Sequence, residues 1–157
     1  MSISRLKESD YNSIIAVLDE WWGGRHMADM LPRLFFKHFN DTSFVIQENN
    51  KAIAFLIGFI SQVYPNQAYV HFTGVHPDYR KRGFGEQLYQ TFFEVVKQKG
   101  CDVVYLVTSP INKNSIAFHT HIGFKIEDGN CNVGGVAVNT NYDGPGEDRV
   151  LLVKALY

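Results

Sequence analysis

The run Arg80-Lys81-Arg82-Gly83-Phe84-Gly85 puts three cations and two glycines within six residues, where a strand-like stretch gives way to an amphipathic helix. A helix N-terminus presents N–H groups without intrahelical partners and the positive end of the helix dipole, and glycine lets a loop approach a ligand without Cβ clashes. This combination suits a phosphate-bearing ligand. A tight turn beside solvated cations accounts for the same residues about equally well. The dinucleotide fingerprint is excluded because Leu88 stands where its third small residue belongs, and no GxxxxGK followed by Ser or Thr occurs. Further along, Asn112, Ser115 and His119 fall on one stripe of a helix at about 100° per residue, so they can line one edge of one ligand, or Asn112 can act as a plain helix cap. His119 and His121 point about 200° apart on that helix and cannot chelate a metal together, so no metal site is expected.

The elements that must carry these residues follow from periodicity. Ile3 to Leu6 reads as a strand, Ser9 as the cap of a helix ended by Gly23 and Gly24, and Pro32 as the start of a second helix. Ser43 to Gln47 and Lys51 to about Val63 form a hairpin, and Ala68 to Val75 a third antiparallel strand. Alternation along that strand puts Tyr69, His71, Thr73 and Val75 on one face and Val70, Phe72 and Gly74 on the other. His71 is then a candidate base or an ordinary hydrogen-bonded histidine, Tyr69 a weaker candidate base, and His76 a cap of the turn that follows. Gly83 to Lys99 is an amphipathic helix, Val103 to Thr108 a buried strand, Asn112 to Ile122 a helix, and Phe124 to Ile126 and Arg149 to Leu156 the last strands. Between these, 128–147 reads as a mobile loop with a short hairpin around Gly134 and Gly135, placed to act as a lid. The order βααβββαβαββ implies an α/β single domain spanning 1–157, with antiparallel strands first, helix-linked parallel pairing after, and helices on both faces of a mixed sheet.

Composition narrows the classes. Fifteen Lys and Arg against 16 Asp and Glu give a formal charge of -1, which argues against nucleic acid or anionic lipid as partner. No stretch approaches the roughly 18 apolar residues of a membrane helix, and the N-terminus lacks the apolar core of a secretion signal. Cys101 and Cys131 show no zinc or redox spacing, so a cytoplasmic setting is expected. No G-x-S-x-G elbow is present.

Taken together, Arg80 to Gly85, the preceding Val75-His76-Pro77-Asp78-Tyr79-Arg80, and Asn112 to Phe124 resemble the GNAT superfamily of N-acetyltransferases. That superfamily carries Arg or Gln, two residues, Gly, any residue, then Gly or Ala, and further on an N-x-x-A-x-x-x-Y-x-x-x-G-F helix. The resemblance implies acetyl-CoA as co-substrate and transfer of its acetyl group to a primary amine of a small molecule or peptide. It implies that backbone groups of Thr73, Gly74 and Val75 align the pantetheine arm, that the N–H groups of Arg80, Lys81, Arg82, Gly83, Phe84 and Gly85 hold the pyrophosphate, and that Asn112 and Ser115 contact the coenzyme from the other side. His71 is the expected general base, since some relatives place His or Glu in this part of the strand. His119 stands where relatives place the tyrosine that protonates the leaving thiolate, so an acid role, a coenzyme contact and no role are all open for it. The oxyanion is expected to meet a backbone N–H of Gly74 or Val75. The acceptor should lie near 21–30, whose aromatics could equally be core, and Asp143 and Glu147 could attract a cationic amine or be only solvated surface. Homodimerisation is a family-level expectation. A non-catalytic acyl-CoA sensor on the same fold and a nucleotide-binding protein using Gly83 to Gly85 are the rival readings.

Overall fold

The computed structural model describes residues 2–157. Its elements are β1 (Ser2–Arg5), α1 (Tyr11–Trp21), α2 (Arg33–His38), β2 (Phe44–Glu48), β3 (Lys51–Ile60), β4 (Gln67–Val75), α3 (Phe84–Gln98), β5 (Val103–Thr108), α4 (Lys113–His121), β6 (Lys125–Ile126), β7 (Cys131–Val133), β8 (Val136–Val138) and β9 (Val150–Ala155). Seven strands form one sheet in the order β1-β2-β3-β4-β5-β9-β6, and β7 and β8 pair as a separate hairpin around Gly134 and Gly135. The mixed α/β architecture with helices on both faces is as expected.

Parallel pairing between sheet neighbours is confined to β4 and β5, which α3 connects. α4 was also expected to link a parallel pair. Instead β9 inserts between β5 and β6, antiparallel to both. A helix crossover needs only to return the chain in the same direction, and the last strand then fills the gap left between the two parallel ones.

Helix periodicity decides which residues face the sheet. α3 buries Leu88, Tyr89, Phe92, Phe93 and Val96 at spacings of one, three and four, against Leu56, Val70 and Leu106 on one sheet face. α1 buries Ile14, Leu18 and Trp21 against Phe55, Ile57 and Phe72 on the other.

One irregularity reshapes the site. β4 pairs with β3 so that Ile57 faces Phe72 and Gly58 faces Val70, which leaves His71 as an extra residue, a β-bulge. The bulge overturns the simple alternation read from sequence. Val70 packs in the core under α3 and the Thr73 hydroxyl bonds Tyr89 of α3, whereas Tyr69 stacks on Phe59, and Phe72 packs against Trp22. His71 itself lies flat on Phe35 of α2, centroids 4.1 Å apart at 5°. Thr73 and Val75 therefore do not share its face.

Candidate active site

The loop before α3 is built to receive an anion. Among the described residues the backbone N–H groups of Lys81 through Glu86 find no acceptor, six in succession. Lys81 (φ 61°) and Gly83 (φ 85°) both have positive φ, which turns successive N–H groups of the loop toward a concave nest. Arg80, counted from sequence as part of the cationic cluster, instead serves the loop itself. Its guanidinium donates to the carbonyls of Val75 (3.2 Å) and Trp21 and staples the loop to the end of α1. Arg82 lies over the rings of Tyr79 and Phe84. Gly85 has room restricted by α4, since an added Cβ would meet Phe118 at 3.2 Å. Its smallness serves helix packing, whereas Gly83 supplies the turn.

Beside this nest the sheet splits. β4 and β5 pair only as far as Tyr69 with Tyr105, and beyond that the strands part around a cleft of about 760 Å³ lined by Thr73, Asn112, Ser115, His119, His71 and Trp22, among others. In an antiparallel ladder, N–H and C=O groups alternate between the two edges. His76 N–H donates to Ile53 of β3, and Gly74 stands opposite Phe55 in the same register, so Gly74 also turns its backbone to β3. Thr73 and Val75 are left with backbone groups facing the cleft edge. This corrects the expectation for Gly74, whose requirement is steric: a Cβ there would strike Phe55 at 2.7 Å and Trp22 at 3.1 Å. On the opposite wall the Asn112 Oδ1 accepts from Ser115 N–H at 3.4 Å, so Asn112 caps α4 with its oxygen and keeps its amide NH2 for a ligand.

The two histidines differ in state. His71 Nε2 donates to the Met30 carbonyl at 2.6 Å, which fixes the tautomer and leaves Nδ1 with a lone pair. Burial holds its pKa below the ordinary value, partly opposed by the Met30 bond. It is a neutral imidazole on the cleft wall. His119 is buried, and burial lowers its pKa to about 4, with the Ser115 carbonyl bond opposing. Its Nδ1–H donates to that carbonyl at 2.7 Å, so its Nε2 accepts from the Tyr89 hydroxyl at 2.6 Å. The Thr73 hydroxyl donates to Tyr89 in turn at 3.2 Å. The expected acid role for His119 does not fit this state, because an imidazole with a pKa near 4 carries almost no transferable proton at neutral pH and its one N–H is held inside α4. Tyr89 was missed in the sequence because it reads as one more apolar position of α3. Its pairing with His119, 30 residues away, is purely tertiary.

A family model described as the Acetyltransferase (GNAT) family matches residues 11–124. The chain belongs to this family. Of curated relatives, an uncharacterized N-acetyltransferase of Methanocaldococcus jannaschii is 32% identical over 93 residues, covering 57% of this chain and 41% of that protein. An L-2,4-diaminobutyric acid acetyltransferase of Nocardia farcinica is 31% identical over 84 residues, covering 54% and 44%. The chain thus spans less than half the length of these relatives. Among solved structures, a GNAT-family protein from Desulfovibrio desulfuricans superposes with a TM-score of 0.81 at 16% identity, covering 99% of each chain. The Salmonella typhimurium protein yncA, solved with its cofactor acetyl-CoA, superposes at 0.72 with 16% identity, covering 100% of this chain and 94% of that one.

In the GNAT frame the far end of the cleft is shaped by two segments. The connector after α1 is pinned because Asp19 Oδ1 accepts from the N–H groups of Met27 (2.7 Å) and Ala28 (2.9 Å). These bonds hold its carboxyl below the ordinary range. His26 bridges Asp29 (2.9 Å) and Asp19 (3.2 Å), which raise its pKa in that order. The glycine-rich segment lines the cleft and is tied internally, with Asn141 N–H on Asp148 and Gly146 N–H on Asn141, both at 2.8 Å. Asp143 and Glu147 were expected to attract an amine, but Arg149 holds both, at 2.8 and 3.2 Å. The trio together carries a formal charge of only -1.

Proposed function

We propose that the protein transfers the acetyl group of acetyl-CoA to a primary amine of a small molecule or peptide by direct attack. The observation that carries this reading is the nest of six unpaired N–H groups opening onto the split between β4 and β5. A diphosphate fits the nest, and the Thr73 backbone groups and the Val75 N–H are open to an amide-bearing arm, the Val75 carbonyl being held by Arg80. The acetyl-CoA of yncA and the amine substrate named for the Nocardia relative support the same assignment.

Acetyl-CoA supplies an activated acetyl carbon as its thioester. His71 removes the proton that the attacking amine sheds, through the Nδ1 lone pair that the Met30 bond leaves open. Val75 N–H, on the cleft edge, is the oxyanion donor we assign. The Tyr89 hydroxyl faces the leaving sulfur when its hydrogen rotates away from His119. Burial pushes the phenol pKa up, so Tyr89 keeps its proton and acts as a hydrogen-bond donor. The sulfur takes its proton from solvent, to which His71 returns the one it removed. His119 is a positioning residue for Tyr89.

Thiol release from acetyl-CoA across a panel of amines tests the assignment, with release expected for at least one primary amine. Coenzyme A binding without release for any amine would overturn it in favour of a non-catalytic acyl-CoA sensor.

A further inference from the structure

Helices cover the sheet unevenly. α1 and α2 pack on the β2 to β4 half of one face, and among the described residues the β5, β9, β6 half of that same face has no helix over it. Burial along β5 shows the consequence: Val104 and Leu106 are buried under α3 and α4, while Tyr105 and Val107 on the opposite face are only half-buried. Over this bare half lies a second hollow of about 300 Å³. Its walls are aromatic: Phe59, Tyr69, Tyr105 and Tyr142 line it, with Tyr69 and Tyr105 adjacent in register across the β4–β5 pair.

Glu127 enters the same hollow. Its backbone is tied to β9 through N–H to the Leu151 carbonyl at 2.8 Å, and the residue is half-buried, yet its carboxylate has no hydrogen-bond or ion-pair partner among the described residues. This contrasts with Asp143 and Glu147 nearby, both paired with Arg149. An unpaired carboxylate beside ring faces favours a cation, since the π-faces carry negative potential and the carboxylate accepts N–H bonds. The hollow also adjoins the cleft, because Tyr69, Leu106 and Val107 line both.

We propose that the hollow bounded by Glu127, Phe59, Tyr69, Tyr105 and Tyr142 binds a second cationic group of the acceptor, so that the preferred substrate is a diamine acetylated at the amine near His71. The proposal rests on the acetyltransferase reading above and adds the substrate class to it. Charge complementarity selects this occupant: among the described residues no other unpaired carboxylate shares a hollow with these rings, and the formal charge left at the Arg149 trio is of the same sign.

The test compares straight-chain α,ω-diamines with monoamines of equal length, for wild type and Glu127→Gln. Wild type is expected to show kcat/KM at least about tenfold higher for the best diamine, and Glu127→Gln to remove that preference through KM while leaving monoamine turnover unchanged. A second readout, calorimetric binding of a bis(trimethylammonium)alkane that cannot be acetylated, should weaken about tenfold in Glu127→Gln. Equal wild-type kcat/KM for the two series, or unchanged bis-quaternary binding in the variant, would overturn the proposal while leaving acetylation of monoamines intact. A stable dimer in light scattering that Tyr105→Glu dissociates would overturn it too, by showing that a second copy covers this face. Absence of thiol release with every amine would defeat the catalytic reading alone, and the calorimetric arm would still decide the cation site.

Discussion

His71 and His119 have the same side chain and opposite prospects. His71 sits at a bulge on the cleft wall with one nitrogen tied to Met30, and its lowered pKa keeps it deprotonated through the neutral range. A base works only when deprotonated, so the limb of kcat assigned to it lies below the ordinary histidine value of about 6.5 and turnover falls as pH drops through it. His71→Gln should lower kcat about 100-fold and abolish that limb, with KM for acetyl-CoA unchanged, as measured by thiol release between pH 5 and 9. Retention of the limb in the variant would remove His71 from the reaction. His119 was legible as a departure from the family pattern, but not its state, because burial and the Tyr89 hydroxyl come from packing between α3 and α4.

At the scale of elements, most was readable. The hairpin of β2 and β3, the amphipathic α3 and the short α4 all follow from periodicity and from Gly, Pro and Asn at their ends. The bulge in β4 was not, because one extra residue leaves the composition of a strand unchanged while reversing the face of everything beyond it. The loop before α3 joins conformation to the proposed binding of coenzyme. Gly83 at φ 85° meets nothing within 4 Å, so Gly83→Ala is opposed by backbone strain and not by a clash. That strain is about 1 kcal/mol, or roughly fivefold in an equilibrium. Gly83→Ala should therefore raise the Kd for coenzyme A about fivefold by calorimetry and leave the far-UV circular dichroism unchanged. An unaltered Kd would mean that the nest does not hold the coenzyme.

The whole molecule carries a pH-dependent stability set by His119. Its folded pKa of about 4 lies below the unfolded value of about 6.5, so the unfolded chain binds the extra proton between them. The resulting stability is fully present above pH 6.5 and is lost as pH falls toward 4. The shift corresponds to about 3 kcal/mol. Urea unfolding at pH 7 and pH 4.5 should show wild type losing about 2 kcal/mol more than His119→Gln across that interval. Equal losses would mean that His119 is not held neutral by the fold. The sequence by itself determined the α/β class, the order of elements and the glycine turn that opens α3, because periodicity, capping and turn chemistry are local and written within a few residues. Only the tertiary structure decided that Gly74 turns its backbone to β3, that Arg80 staples the loop, that Arg149 pairs with Asp143 and Glu147, and that Tyr89 meets His119. Each of these depends on register across strands or on contacts between distant segments, which local patterns do not encode.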